Sequence, residues 1–135
     1  MTPQEAITAA LRAALAGQAS LAAQTNGVFD APPVRELRPY LLIDDPVMTD
    51  WSTKDQDGRE VRIAVLVRDT GQARQRARAL AGAVEAAVAA MPAALGDGWR
   101  VVSRVLLRTR IVAEDAATLS AIVEFRVRML RTPAA

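Results

Sequence analysis

Apolar residues recur along the chain with two different periods. Ile7, Ala10, Leu11, Ala14 and Leu15 fall three and four positions apart, which puts them on one face of a helix. Thr2, Pro3 and Glu5 stand where an N-cap, a first helical position and a reciprocal capping-box residue belong. Gly17 suits the stop. A short alanine-rich turn follows to Gln24, and Asn26-Gly27 is a turn signal. Pro32, Pro33 and Pro39 keep 28–39 irregular.

The period then changes to two. "YLLIDD" at 40–45 reads as a strand, which the bias of residues before proline extends to Val47. "REVRIAVLVR" at 59–68 alternates: Val61, Ile63, Val65 and Val67 face one way, and Glu60, Arg62 and Arg68 the other, with Ala64 and Leu66 between them. A second helix spans about 71–91, capped by Asp69 or Thr70 and ended by Pro92. Its stripe of Ala73, Ala77, Leu80, Ala81, Val84, Val88 and Met91 is small enough to lie close against a sheet. Gly96-Asp97-Gly98 is a turn, and two long strands near 99–113 and 119–131 close the chain. On the first, Trp99, Val101, Val105, Leu107 and Ile111 share one face, and Arg100, Arg104, Arg108 and Arg110 the other. On the second, Leu119, Ala121, Val123, Phe125, Val127 and Met129 alternate with Glu124, Arg126 and Arg128.

This order predicts an α+β fold: a mainly antiparallel four-stranded sheet with two helices packed on one face, and a long β-hairpin loop at about 46–58. No repeat, low-complexity tail or linker divides the chain, so 1–135 is expected to be a single domain.

Composition then removes whole classes of chemistry. Cysteine and histidine are absent, so there is no thiol nucleophile, disulfide, zinc site or histidine base. No apolar run approaches the roughly 20 residues of a membrane span, and the N-terminus lacks the basic and apolar regions of a signal peptide. The expectation is a soluble protein, made and kept in the cytoplasm at least until it assembles, and without membrane contact. Net charge is +2, and Lys54 is the single lysine beside many arginines.

Those arginines gather on the polar sheet face. Arg62, Arg68, Arg100, Arg104, Arg108, Arg110, Arg126 and Arg128 stand there against Glu60 and Glu124 alone. Solvent, the carboxylates of another subunit, or nucleic acid could each answer that charge. Single-strand binders interleave aromatics for base stacking; here Trp99 and Phe125 fall on the core-facing parity, and the polar face is read as having none.

Catalytic candidates are thin. Neighbouring Asp44 and Asp45 point to opposite faces of a strand, and Asp55-Gln56-Asp57-Gly58 is a turn of turn-favouring residues. Glu60 is too close to complete a calcium loop, and "GQARQR" at 71–76 lacks the glycines and lysine of a phosphate loop. The chain is not expected to be an enzyme or to carry a cofactor or metal.

Four segments carry a family resemblance: "VFDAPP" (28–33), "RPYLLIDD" (38–45), "TDWSTKDQDGREVRIAVLV" (49–67) and "GQARQRARALAGAVEAAV" (71–88). In this order they resemble the tail completion, or tail terminator, proteins of tailed phages and of gene transfer agents. The resemblance covers nearly the whole chain. Its most specific part is the D-W-S-T-K…G-R-E block before an alternating strand.

The resemblance implies a structural virion protein. It would form a hexameric ring at the head-proximal end of the tail tube, stop tube growth and join the tail to the head's stopper or connector. DNA would only pass through the lumen. The polar stretch 49–60 would then be a hairpin tip that meets a neighbour or the tube, with Trp51 as anchor and Lys54, Asp55, Asp57, Arg59 and Glu60 as rim. Arg100, Arg104, Arg108, Arg110, Arg126 and Arg128 would complete the subunit or tube interface, paired mostly with carboxylates. The competing readings are a basic nucleic-acid-binding α+β domain and another head–tail joining protein, such as a stopper or adaptor.

Overall fold

The fold is that of a computed structural model, which describes residues 1–133. Among the described residues three α-helices pack on one face of a six-stranded mixed sheet. The order is α1 (Pro3–Ala16), α2 (Ala19–Gln24), β1 (Val28–Phe29), β2 (Tyr40–Ile43), β3 (Val47–Asp50), β4 (Gly58–Thr70), α3 (Arg74–Ala90), β5 (Trp99–Ala113) and β6 (Thr118–Arg131). The sheet runs β1-β2-β4-β6-β5, and β3 also pairs with β4. β1 lies parallel to β2, and every other pairing is antiparallel.

The α+β class, the four long strand segments and the helices on the apolar face agree with the sequence pattern. The expectation of four strands and two helices does not. β1 is two residues long, too short to show a period, and the alanine-rich turn closes into the helix α2, whose N-cap is the Gln18 side chain. The expected loop at 46–58 shrinks as well. β2 and β3 are two halves of one strand, interrupted at Asp44-Asp45-Pro46, and β3 pairs with β4 from Val47↔Arg62 to Asp50↔Arg59. The hairpin loop is therefore 51–57.

One hydrophobic cluster joins the helices to the sheet. Ile7, Leu11 and Leu15 of α1 and Leu80, Val84 and Val88 of α3 meet Val61, Ile63, Val65 and Val67 of β4 and the alternate residues of β6. Fully burying each large aliphatic side chain contributes about 1.5–3 kcal/mol. α1 begins with the expected capping box: Glu5 N–H donates to Thr2 Oγ1 at 3.1 Å, and Thr2 N–H to Glu5 Oε2 at 2.9 Å. α3 starts later than its pattern, at Arg74, and neither Asp69 nor Thr70 caps it. Asp69 is fully buried and instead takes the Arg76 guanidinium, with Arg76 Nε donating at 2.7 Å. That ion pair fastens the end of β4 to the first turn of α3.

Candidate interaction surface

The face of the sheet away from the helices is open. Its cross-strand rows follow from the register. Thr49, Glu60, Arg128 and Ser103 form one row across β3, β4, β6 and β5. Val47, Arg62, Arg126 and Val105 form the next. Ala64, Glu124 and Arg108 follow, then Leu66, Ile122 and Arg110. The predicted arginine face exists, but it is not uniform.

Three of its arginines are neutralised within the chain. Arg108 pairs with Glu124, whose carboxyl is held below its ordinary value chiefly by that hydrogen bond. Arg128 Nε lies 3.1 Å from Glu60. Arg68 lies 3.4 Å from Glu114 and 3.9 Å from Glu36. Glu36 titrates low because it accepts from the Tyr40 hydroxyl and from Arg38. Glu36 and Glu114 sit in loops, so a count of strand residues could not find them. Arg62, Arg100, Arg110 and Arg126 have no carboxylate within ion-pair distance among the described residues. Arg62 and Arg126 face each other directly, and Arg126 Nε is buried without a partner.

Arg104 does not belong to this face. Two β-bulges in β5, at Val102 and Leu107, each insert one residue and reverse the alternation. Arg104 therefore turns to the helix side, where its guanidinium donates to the carbonyls of Val88 at 2.8 Å and Ala89 at 3.3 Å. These are carbonyls at the C-terminus of α3, where a cation meets the negative end of the helix dipole. Val105, expected in the core, faces outward opposite Arg126, and Leu107 is the bulge residue itself. The doublets Val101-Val102 and Leu106-Leu107 were the available signal, since each breaks the alternation where a bulge lies.

The consequence is an apolar strip on an edge strand. Val102, Val105, Leu106 and Leu107 are each about 40% exposed, at 39%, 41%, 42% and 40%. Beyond Val101, past the bridge between Arg100 and Ala94, the outer edge of β5 has no pairing strand among the described residues. Long exposed apolar edges invite another chain.

The second candidate region is the hairpin 49–60. Its tip is ordered by its own polar groups. Trp51 N–H donates to Gly58 O at 3.0 Å, Thr53 N–H to Gln56 O at 2.9 Å, and Gly58 N–H to Ser52 Oγ at 3.0 Å. Arg131 N–H reaches Asp57 O at 2.8 Å and ties the loop to the end of β6. Gly58 has no substitute there, because a Cβ would stand 2.5 Å from Trp51 O. Trp51 does not project as an anchor in the free chain. It lies half-buried on the open face, with the Arg128 guanidinium 5.3 Å from its ring centroid. The polar face therefore does carry an aromatic, contrary to the pattern reading. Arg59 pairs with Asp57 on the core-side parity, its guanidinium 5.7 Å from the Trp99 ring. Lys54 and Asp55 are exposed at the tip and make no ion pair among the described residues.

Asp44 and Asp45 are exposed at the β2–β3 interruption. They line a groove with Val47, Arg62, Arg108 and Glu124. Among the described residues no three His, Cys, Asp or Glu side chains gather as a metal cluster. No helix there is long and apolar enough to cross a membrane.

This geometry has known counterparts. A chain of a solved structure described as the virion of a native gene transfer agent particle superposes with a TM-score of 0.74 at 27% identity, over 93% of this chain and 96% of that one. No curated protein matches by sequence. The family described as Tail completion protein gp17 matches residues 5–130. The chain thus belongs to the Tail completion protein gp17 family, and is a virion tail completion protein of the kind that phages and gene transfer agents carry.

Proposed function

We propose that this protein is a tail terminator. Six copies form a ring on the head-proximal end of the tail tube, stop its growth and join it to the stopper or connector of the head. The role is structural and non-catalytic, assembly takes place in the bacterial cytoplasm, and DNA is only a passenger through the lumen. The observation that carries this reading is the family match over residues 5–130, together with a likeness that spans nearly all of both chains. The surface supports it. A ring needs two dissimilar patches per subunit, and the chain offers an apolar, basic edge at β5 and a compact polar hairpin at 51–57.

The test is electron microscopy of particles made without this gene. Overlong or unattached tails beside filled, tailless heads are the expected result. Normally joined particles would overturn the proposal. The four uncompensated arginines favour one competing reading, a nucleic-acid binder. Duplex binding by the isolated protein that falls steeply with salt would support that alternative.

A further inference from the structure

Two opposite borders of the sheet carry opposite charge. Residues 99–113 of β5 contain Arg100, Arg104, Arg108 and Arg110 and no acidic residue. Residues 40–50, spanning β2 and β3, contain Asp44, Asp45 and Asp50 and no basic residue. Asp44 and Asp45 on one side, and Arg100 and Arg110 on the other, have no ion-pair partner among the described residues. Both borders also expose apolar side chains: Val47 is 62% exposed on β3, and Val105 is 41% exposed on β5. β3 pairs only with β4, and β5 pairs with β6 and, at 99–101 alone, bridges 93–95, so β3 and the rest of β5 each keep one free backbone edge among the described residues.

We infer that these two borders bind each other between copies, so that β5 of one subunit seats along β3 and the Asp44-Asp45 break of the next. The inference rests on the ring reading and names its contact. Strand direction permits it. β3, β4, β6 and β5 alternate in direction at every step, so β5 runs opposite to β3. A copy related by rotation about an axis along the strands therefore presents its β3 antiparallel to the first copy's β5, the arrangement a continued antiparallel sheet needs.

The rows match as well. Val47-Arg62-Arg126-Val105 ends in an exposed valine at each border. The next row ends in Arg108 on one side. On the other side it ends at Asp44, whose N–H donates to Ala64 O at 3.0 Å. Continued without stagger, the sheet sets Val105 beside a neighbour's Val47 and Arg108 beside its Asp44, with Asp45 next to it in the break; the Arg110 row ends at Leu42, whose outer edge β1 covers. Burial of the valines, the main-chain pairing and the ion pairs then act on one seam. The contact is head-to-tail, so it builds a ring when its rotation closes, and not an isologous dimer.

Because the chain has no cysteine, the seam can be read by disulfide trapping in assembled particles. Val47→Cys with Val105→Cys, and separately Thr49→Cys with Ser103→Cys, are expected to give an oxidant-dependent ladder from dimer up to the closed ring on non-reducing gels. Each single variant stays monomeric. In parallel, Arg108→Asp or Asp44→Arg alone is expected to cut the number of incorporated copies at least several-fold, and the two together to restore most of it. Circular dichroism of the purified variants separates folding failure from contact failure. Particles that contain both cysteine pairs yet release only monomer, with no rescue by the charge exchange, would overturn this seam. If removing the gene still yields overlong tails, the terminator reading survives that result. Normal particles without the gene would remove the terminator reading and leave the ladder to judge the seam on its own.

Discussion

β5 and β6 are the two arms of one hairpin, similar in length and in arginine content, yet they are used differently. β6 keeps strict alternation: Leu119, Ala121, Val123, Phe125, Val127 and Met129 are all buried. β5 buries Trp99 and Val101, then breaks alternation twice and leaves Val102, Val105, Leu106 and Leu107 partly in water. A strand between two partners has both edges and one face committed to its own domain. An edge strand has one edge left over, and its apolar residues add little to the core. On the proposed reading, the exposed apolar residues of β5 serve a contact outside the chain.

The sharpest way to break the comparison is to truncate matched side chains on the two arms. Phe125→Ala should cost about 3–5 kcal/mol in urea unfolding, as a core cavity does, whereas Leu106→Ala should cost less than about 1 kcal/mol. Equal costs would mean that β5 serves the fold as much as β6 does. Charge sharpens the same contrast. Asp69→Ala removes an inward ion pair and should cost about 2 kcal/mol. That is below the roughly 3–5 of a fully buried pair, because Arg76 can rehydrate: its side chain is 45% exposed. Arg104 is the arginine of β5 that serves its own chain, and Arg104→Ala should lower stability by about 1 kcal/mol through lost contacts to the end of α3. Arg110→Ala should leave stability unchanged within error, so the pair of variants separates inward from outward arginines.

The smallest expected effect is on acidification. The Glu124 carboxyl titrates below its ordinary value because of Arg108. Its contribution is present above the unfolded glutamate value of about 4.3 and lost as pH falls through the lower folded value. Urea midpoints measured from pH 7 down to 3 should therefore fall slightly less steeply for Glu124→Gln than for the parent. An identical slope would show that solvent already screens this pair.

Much of the fold was legible because periodicity reports burial. The capping box of Thr2 and Glu5 marks the start of α1, and the alternation of β4 and β6 and the alanine stripe of α3 say which side faces the core. What was missed depends on partners distant in sequence. β1 and β3 are strands only because β2 and β4 pair with them. Asp69 looked like a cap and became the counter-ion of Arg76, because burial made pairing more valuable than capping. Of the predicted interface residues, Arg100, Arg108, Arg110, Arg126 and Arg128 do reach the open face, while Arg104 turns inward and Arg59 folds against Trp99. The place of Trp51 on Arg128 follows from the curl of 51–57, which no period encodes.

The most direct test is a cryo-electron microscopy reconstruction of the head–tail junction in intact particles. The account predicts six copies of this chain on the head-proximal end of the tube, with β5 at the boundary between subunits and Val102, Val105, Leu106 and Leu107 covered. Copies located elsewhere in the particle, or a ring in which β5 faces open solvent, would contradict it.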